Sequence, residues 1–265
     1  TNPESKGATE SDSPTSILYK GALTNNEMEL AIRVKAITKG GYLKSERGLI
    51  TTKDADEVIF ILSADTDYKI NFNPDFKDNK AYVGVDPEIS TSTIMGETSK
   101  FSYKELLSHH MSDYKRLFER VNISLNPNAP MTLQYPATTD LPTYERLEKY
   151  RKGYADYNLE ELYYQFGRYL LIASSREGNL PANLQGVWSE GIDGPWHVDY
   201  HNNINLQMNY WPASSTNLNE CIPPLIDFIK TLIKPGEKTA KAYFGARGWT
   251  ASISGNIFGF TSPLT

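Results

Sequence analysis

The chain has 265 residues and a formal net charge of −5, and its 27 Lys and Arg residues are scattered rather than clustered. This charge supplies no basic surface for nucleic acid and favours a neutral or weakly charged partner. Apolar residues make up 39% of the chain and aromatic residues 12%, which is enough for a sizeable core in one or two domains.

Metal sites, disulfides and membrane helices have no signature in the sequence. Cys221 is the single cysteine, which excludes an internal disulfide, and no group of Cys and His residues has metal-ligand spacing. We therefore expect no metal and no cofactor. No stretch approaches the roughly 18 consecutive apolar residues of a membrane helix, so we expect a soluble chain without a membrane partner. No signal peptide opens it, and Thr1-Asn2-Pro3-Glu4 is untypical of a natural start, so any export signal is expected upstream.

The first part of the chain has strand patterns. Residues 1–15 are rich in Ser, Thr, Pro and charge, which predicts a mobile lead-in or a long loop. Residues 28–38 alternate apolar and polar positions and predict a half-buried strand, with the apolar side at Met28, Leu30, Ile32, Val34 and Ala36. The continuous apolar run Val58–Leu62 predicts a strand buried on both faces. We interpret residues 1–97 as the end of a β-sandwich.

A helix is predicted to begin at Ser102, because Ser102 and Glu105 have the spacing of a capping box and apolar residues follow at helical intervals. His109 and His110 lie on this helix, where a structural role is favoured over catalysis. Prolines without apolar periodicity predict an irregular connection over 122–143. Residues 98–143 are therefore interpreted as a helical linker.

From Tyr144 onward the pattern is helical. Asn158 and Glu161 have the spacing of a helix start, and apolar residues form a stripe over 159–173. A second stripe runs over 225–233, and Pro235 is predicted to open a third helix that closes at Gly245. These stripes are interpreted as core.

The loop-rich stretch 183–212 holds three of the four tryptophans and two of the four histidines among many amides. Trp stacks on the apolar faces of a sugar ring, and Asn, Gln and His provide fixed partners for its hydroxyls, so the mixture indicates a sugar site. His201, Asn203 and Asn205 alternate with other residues. In an extended segment over 199–206 this spacing would send all three to one side, with Ile204 and Leu206 towards the core, before a helix near 208–211. The alternative is a polar loop that satisfies its own backbone.

Four pieces in a fixed order carry a family resemblance: GRYLLIASSR, NLPANLQGVW, NINLQMNYWP and GARGW, all within residues 161–250. This order resembles the start of the catalytic barrel of family 95 glycoside hydrolases, the inverting α-L-fucosidases and α-L-galactosidases. Two upstream pieces, VIFILSADTDYK and YKELLSHHMSDYKRLFERV, resemble the end of the family's β-domain and its helical linker. The resemblance implies an α+β multidomain chain, in which residues 144–265 are the first part of an (α/α)6 barrel.

The resemblance also implies roles for the alternating residues. Asn203 and Asn205 match the family's water-positioning asparagines, which makes them the candidate catalytic residues, and His201 matches a histidine that contacts the sugar. The family's acid Glu and base Asp are expected beyond Thr265. We therefore expect the isolated chain to be inactive, and to self-associate through exposed barrel helices.

The residues themselves suggest two further substrate-binding candidates. Among four local carboxylates, Asp199 shares the row of His201 and is the first candidate for a role at the site; the others are Glu190, Asp193 and Glu220. Trp196 is the better stacking platform, whereas Trp211 follows an apolar helix and is expected in the core. Asn183 and Gln185 are expected to support the loop rather than to touch ligand.

The expected partner is a fucosylated oligosaccharide, and an extracellular or periplasmic location is implied by the resemblance alone. Residues 250–263 depart from the sequence that many family members have after GARGW, which leaves the choice between L-fucose and L-galactose open. Two alternatives to hydrolysis remain: a carbohydrate-binding fragment without catalysis, and a glycoside phosphorylase, which would need a cationic or hydroxyl-rich phosphate pocket.

Overall fold

A computed structural model of the chain describes residues 5–125, 141–189 and 194–263. Contacts between residues divide the chain into two units, Thr1–His110 and Met111–Thr265, and the division falls inside one helix. The first unit is rich in strands and the second in helices. This order confirms the predicted β-sheet region followed by helices.

The first unit is built on antiparallel strands. They are β1 (Ser5–Ser13), β2 (Ser16–Leu23), β3 (Glu29–Lys39), β4 (Tyr42–Glu46), β5 (Leu49–Lys53) and β6 (Glu57–Thr66). Four of them form one sheet in the order β1-β2-β3-β6, while β4 and β5 pair as a separate hairpin. Helix α1 (Pro87–Thr98) contacts β3 and β6, and it begins where the Asp86 carboxylate accepts a hydrogen bond from the Glu88 backbone N–H.

Three strand predictions need correction. The lead-in predicted over residues 1–15 is wrong for Ser5–Ser13, which pairs with β2 as the edge strand. Its side chains are mostly exposed, and backbone pairing needs no apolar side chains, so composition hides this strand. In β3 the strand is confirmed and Ala36 is buried as predicted, but Ala31 and Arg33 are also buried and Ile32 is exposed. The buried Arg33 guanidinium forms an ion pair with Asp12. In β6, Phe60 is 61% exposed, so this strand is not buried on both faces.

Helix α2 (Tyr103–Phe118) confirms the predicted capping box. The Ser102 backbone N–H donates to Glu105 Oε2 over 2.8 Å, and the Glu105 N–H donates to Ser102 Oγ over 3.4 Å. The backbone N–H and the hydroxyl of Ser102 both donate to the Glu105 carboxylate, and these two bonds lower its pKa. The edge of the Phe101 ring lies against His109, with the ring centroids 5.0 Å apart. Most of the irregular connection predicted over 122–143 lies at 126–140, outside the described residues.

The second unit is built from helices with one short strand pair. The helices are α3 (Thr143–Arg151), α4 (Tyr157–Ser174), α5 (Asn205–Tyr210), α6 (Pro212–Ser215) and α7 (Pro223–Phe244), and the strands are β7 (Tyr200–His201) and β8 (Ser254–Gly255). The end of α2 and the helices α4 to α7 contribute to one apolar core, whose buried members include Leu117, Ile172, Leu206, Leu218, Phe228 and Leu232.

The start of α4 is fixed by Asp156, not by the predicted Asn158. The Asp156 carboxylate accepts from the Leu159 backbone N–H over 3.0 Å and pairs with both Nε and Nη2 of Arg146 on α3. The Arg146 guanidinium lowers the pKa of the Asp156 carboxyl, and desolvation opposes that shift. One side chain therefore caps one helix and ties it to the preceding one.

Most of the apolar stripe predicted over 159–173 lies on the exposed side of α4. Of its members Leu159 is buried, whereas the aromatic members are exposed, with Tyr163 at 80%. The buried face carries Gln165 and Arg168 together with Leu171 and Ile172 instead. The predicted side of the helix is wrong because an amphipathic pattern cannot show that a buried position is polar.

The prediction that Pro235 opens a new helix is wrong, because Pro235 lies inside α7. Next to it, the Gly236 carbonyl accepts from the Thr250 backbone N–H over 3.2 Å, and a Cβ at Gly236 would lie 2.6 Å from the Thr250 carbonyl oxygen. The helix therefore runs past the proline while the following segment packs closely against it. Its predicted end is confirmed at Gly245, whose φ of 59° is left-handed.

Arg168 joins three parts of the second unit through its buried guanidinium. Its Nη1 donates to the Phe118 carbonyl over 2.7 Å, its Nη2 to the Leu117 carbonyl over 3.0 Å, and its Nε to the Thr216 carbonyl over 3.3 Å. Gln165 Oε1 accepts a further bond from Nη1 over 2.8 Å. Burial lowers the pKa of Arg168. A cation at the carboxyl end of α2 also complements the helix dipole.

We expect Arg168→Met to destabilise the second unit by about 3 kcal/mol, because several buried carbonyls lose charged donors at once. Urea denaturation followed by tryptophan fluorescence measures this unit alone, since all four tryptophans lie after Met111. Arg151→Met is the matched control. It removes an exposed ion pair with Glu148 and should cost less than about 1 kcal/mol. Equal denaturation midpoints for the two variants would contradict the role assigned to Arg168.

Candidate functional site

Strand β7 places His201 in the second unit. Tyr200 pairs with Gly255, and His201 pairs with Ser254. The Asn202 backbone N–H donates to the Ile253 carbonyl over 2.6 Å, and its side-chain Nδ2 donates to the Ser252 carbonyl over 3.1 Å. Residues 252–255, which sequence reasoning treated only as a departure from the family pattern, thus form the support beside the site.

The extended conformation predicted over 199–206 holds only as far as His201. Residues 202–204 form a turn, and α5 begins at Asn205, three residues earlier than the predicted helix. Leu206 is buried as predicted, but Ile204 is 40% exposed and does not point into the core. The pairing partner β8 is two residues long, so strand pairing ends at His201, and the chain turns before α5 begins at Asn205.

The two candidate asparagines therefore lie at the junction of a turn and a helix. Asn203 is exposed in the turn, and Asn205 is half-buried at the first position of α5. Neither side chain makes a hydrogen bond within the parts of the chain that the structure describes. Both amides are free to take up other partners, as a water-positioning role requires. That the two amides converge with His201 in one cleft stays a prediction.

His201, Asp199 and Trp196 lie together. Asp199 Oδ1 is 2.5 Å from His201 Nδ1, although the imidazole N–H is not aligned along that line as a regular hydrogen bond would be. The Trp196 ring also contacts the imidazole, with its centroid 4.6 Å from that of His201. Trp196 remains 53% exposed, so one part of its surface is open to a ligand.

The turn that places Trp196 beside His201 has a left-handed backbone at three consecutive residues. Trp196, His197 and Val198 have φ values of 57°, 58° and 58°. This conformation costs roughly 1–2 kcal/mol for each residue that has a side chain, so it persists only where the surroundings hold it.

Amides from neighbouring segments hold that turn. Asn183 Nδ2 donates to the Val198 carbonyl over 2.8 Å, and Gln185 Nε2 donates to the Pro195 carbonyl over 3.2 Å. Asn183 is itself fixed, because its carbonyl accepts from Asn209 Nδ2 over 2.9 Å and its Oδ1 accepts from the Gln185 backbone N–H over 2.8 Å. These contacts confirm that Asn183 and Gln185 support the loop.

A buried chain of hydroxyls anchors α5 beneath the site. Tyr210 OH accepts from the Ala182 backbone N–H over 2.9 Å and lies 2.7 Å from Ser175 Oγ, which donates to the Cys221 carbonyl over 2.7 Å. Burial raises the pKa of Tyr210. Both hydroxyl groups of this series, those of Ser175 and Tyr210, have partners. The series fixes the segment before Asn183 against the helix that carries Asn205.

Comparison with known proteins identifies the family. The profile described as the glycosyl hydrolase family 95 catalytic domain matches residues 102–265. The chain belongs to glycosyl hydrolase family 95. It is 37% identical over 228 residues to the alpha-L-fucosidase 2 of Arabidopsis thaliana, an alignment that covers 86% of this chain and 26% of that protein.

Two fungal alpha-fucosidases are similar to the chain over comparable lengths. The chain is 36% identical over 209 residues to the probable alpha-fucosidase A of Aspergillus niger, and this alignment covers 78% of this chain and 25% of that protein. It is 32% identical over 216 residues to the probable alpha-fucosidase A of Aspergillus oryzae, and this alignment covers 81% of this chain and 29% of that protein. The family 95 chain thus spans less than a third of the length of these relatives.

The remaining local carboxylates of the family 95 chain divide into two groups. Glu220 pairs with Arg120 Nη1 over 2.7 Å, and its own backbone N–H together with Arg120 lowers the pKa of its carboxyl. This residue therefore has a structural partner. Glu190 and Asp193 lie outside the described residues. Of the four local carboxylates, Asp199 is the one within the described residues that contacts another candidate site residue, His201.

The prediction that Trp211 belongs to the core is wrong, since Trp211 is 63% exposed. Trp188 is 78% exposed and borders an apolar groove of about 400 Å³ that sequence reasoning missed. The groove lies between α4 and residues 182–188, and His201, Asn203 and Asn205 are not among its lining residues. A pattern of apolar residues on a helix shows its amphipathic side, but not which neighbours cover that side.

The described residues contain neither a candidate metal site nor a helix that could span a membrane. No three His, Cys, Asp or Glu side chains are grouped there in a way that could hold a metal ion. Within the same ranges, every helix is too short or too polar to cross a bilayer.

We expect Trp211→Ala to cost about 1 kcal/mol or less in the free energy of unfolding, because most of its side chain is already in solvent. Phe228→Ala is the comparison. That side chain is 1% exposed, and its removal should cost about 3–5 kcal/mol through a cavity. Urea denaturation followed by the remaining tryptophans measures both. A larger cost for Trp211→Ala than for Phe228→Ala would return Trp211 to the core.

Proposed function

We propose that the polypeptide containing this chain hydrolyses α-L-fucosyl linkages, or the related α-L-galactosyl linkages, with inversion. The proposal is carried by Asn203 and Asn205, which follow His201 in a family 95 catalytic domain and whose side chains make no hydrogen bond among the described residues. The names of the three relatives support the fucosyl substrate.

Inverting hydrolysis needs a carboxylic acid that protonates the leaving oxygen and a base that activates water on the opposite face of the sugar. An amide cannot be that base, because its nitrogen lone pair is delocalised. Its carbonyl oxygen can accept a hydrogen bond from water and hold the water in line for attack. We assign this role to Asn203 and Asn205.

Sugar recognition is assigned to the cluster of His201, Trp196 and Asp199. The exposed part of the Trp196 ring offers an apolar surface for the C–H face of a sugar ring. Asp199 at Nδ1 orients the imidazole and leaves His201 Nε2 as the nitrogen that bonds a sugar hydroxyl. Asp199 faces His201 and is assigned to sugar recognition. By resemblance to the family, we assign the acid Glu and the base Asp to positions beyond Thr265 of the same polypeptide.

The finer architecture belongs to the same proposal. We assign residues 1–97 to the end of a β-sandwich, residues 98–143 to a helical linker with its connection, and residues 144–265 to the start of an (α/α)6 barrel. The exposed aromatic residues on α4, such as Tyr163, then face later barrel helices, and in the isolated chain they favour self-association. An extracellular or periplasmic location is assigned by resemblance to the family.

In the full-length polypeptide, we expect Asn205→Ala or Asn203→Ala to lower kcat about 10²-fold or more with little change in KM, because the lost bond orients water in the transition state. Asn179→Ala, at an exposed asparagine with no side-chain bond among the described residues, is the matched control and should leave both constants unchanged. A raised KM with unchanged kcat would reassign Asn203 and Asn205 to plain sugar binding.

The 265-residue chain alone should release no L-fucose at an enzymatic rate, since general acid catalysis contributes about 10²–10⁴-fold and its residue is assigned elsewhere. The test incubates the chain, and separately the full-length polypeptide, with an aryl α-L-fucoside and with a 2-linked fucosyl oligosaccharide, each with and without phosphate. Release beyond stoichiometry by the chain alone would make a carboxylate of this chain catalytic, with Asp199 the first suspect. Release that depends on phosphate in the full-length polypeptide would replace hydrolysis by phosphorolysis.

A further inference from the structure

The Asn183 amide stands between the helix that carries Asn205 and the turn that carries Trp196. Its backbone carbonyl accepts from Asn209 Nδ2 over 2.9 Å, and its side-chain Nδ2 donates to the Val198 carbonyl over 2.8 Å. Asn205 and Asn209 are four residues apart on α5, so they lie on one face of that helix. One residue thus connects the proposed water-positioning helix to the proposed sugar platform.

We propose that Asn183 is a positioning residue that holds Trp196 against His201. This inference rests on the proposed function, because it assigns Asn183 the task of keeping the sugar platform in register with the water-positioning amides. Asn183 itself touches neither sugar nor water. It acts through the Val198 carbonyl, which it fixes from outside the turn.

The strain of the turn makes an external anchor necessary. Residues 196, 197 and 198 are all left-handed, a backbone conformation that is disfavoured for every residue with a side chain. Within the turn, the His197 N–H donates to the Gly194 carbonyl over 3.2 Å and the Asp199 N–H donates to the Trp196 carbonyl over 3.4 Å, and both bonds are long. The 2.8 Å bond from Asn183 is shorter than either and holds the last residue of the turn.

The position of Val198 decides where the next side chain lies. Asp199 follows it directly and places Oδ1 2.5 Å from His201 Nδ1. If Val198 leaves its left-handed conformation, both contacts of His201 change together, the one to Asp199 and the one to the Trp196 ring at 4.6 Å. The bond from Asn183 to Val198 therefore controls both contacts of the imidazole.

Gln185 supports the same turn less directly. It donates from Nε2 to the Pro195 carbonyl over 3.2 Å, ahead of the left-handed residues, and its buried Oε1 has no partner among the described residues. Its backbone N–H holds Asn183 Oδ1 over 2.8 Å, which orients the Asn183 amide so that Nδ2 faces Val198. This geometry distinguishes the two ends of the Asn183 amide, and a substitution can remove one end alone.

The test is Asn183→Asp, which keeps the acceptor for the Gln185 N–H and removes the donor to Val198. The chain has four histidines, so histidine-selective labelling gives an NMR spectrum with four ring signals, and the signal that disappears in His201→Gln is that of His201. We expect that signal in Asn183→Asp to move most of the way to its position in Trp196→Leu, because the indole ring no longer shields it. Asn71→Asp is the matched control, since Asn71 Nδ2 donates to the Ala81 carbonyl over 2.7 Å in the first unit, and it should leave the signal in place.

Kinetics of the full-length polypeptide provide the second readout. Asn183→Asp should raise KM for an aryl α-L-fucoside about tenfold, the effect of losing a stacking contact, and change kcat much less than Asn205→Ala does. An unmoved His201 signal in a folded Asn183→Asp chain would overturn the inference and leave the proposed function intact. Absence of fucoside hydrolysis by the unchanged full-length polypeptide would overturn the proposed function, whatever the His201 signal shows.

A second variant covers the case in which Asn183→Asp does not fold. Asn183→Ser keeps a short acceptor for the Gln185 N–H but is too short to reach Val198, and it introduces no charge. The same displacement of the His201 signal is expected. A folded Asn183→Ser chain with the His201 signal of the unchanged chain contradicts the role of Asn183.

Discussion

The second unit depends on the buried guanidinium of Arg168. Arg168 is 3% exposed and donates to carbonyl groups at the end of α2 and at Thr216, with no carboxylate among these acceptors. Burying a charge is costly unless its donors are satisfied, so Arg168 is compatible with the core only in the one arrangement that brings these carbonyls together. The guanidinium thereby fixes α4 against the end of α2.

A series of hydrogen bonds connects the end of α4 to the candidate site. Helix α4 ends at Ser174, and the next residue, Ser175, begins the hydroxyl chain through Tyr210 to the backbone N–H of Ala182. Asn183 follows and reaches the left-handed turn. The strained backbone thus lies at the far end of a fully bonded series, which is where strain can be held by its surroundings.

Parts of the site were accessible from sequence, and parts were not. The types of residue in 183–212 indicated sugar chemistry, and His201, Asp199 and Trp196 do lie together. The period of two failed after His201, because whether a segment stays extended depends on a partner strand, and β8 supplies one for only two residues. The left-handed conformation of three non-glycine residues had no signal, since sequence predicts such backbone mainly at glycine.

The sequence by itself determined the family, the order of a β-sheet region before helices, the capping box of α2 and the end of α7 at Gly245, because local hydrogen bonds and residue types decide these features. Tertiary structure decided which faces are buried. Arg168 and Gln165 lie inside, while Tyr163 and Trp211 are exposed. Burial of a polar group depends on partners distant in the chain, such as the carbonyl of Leu117 for Arg168, and no local pattern records those partners.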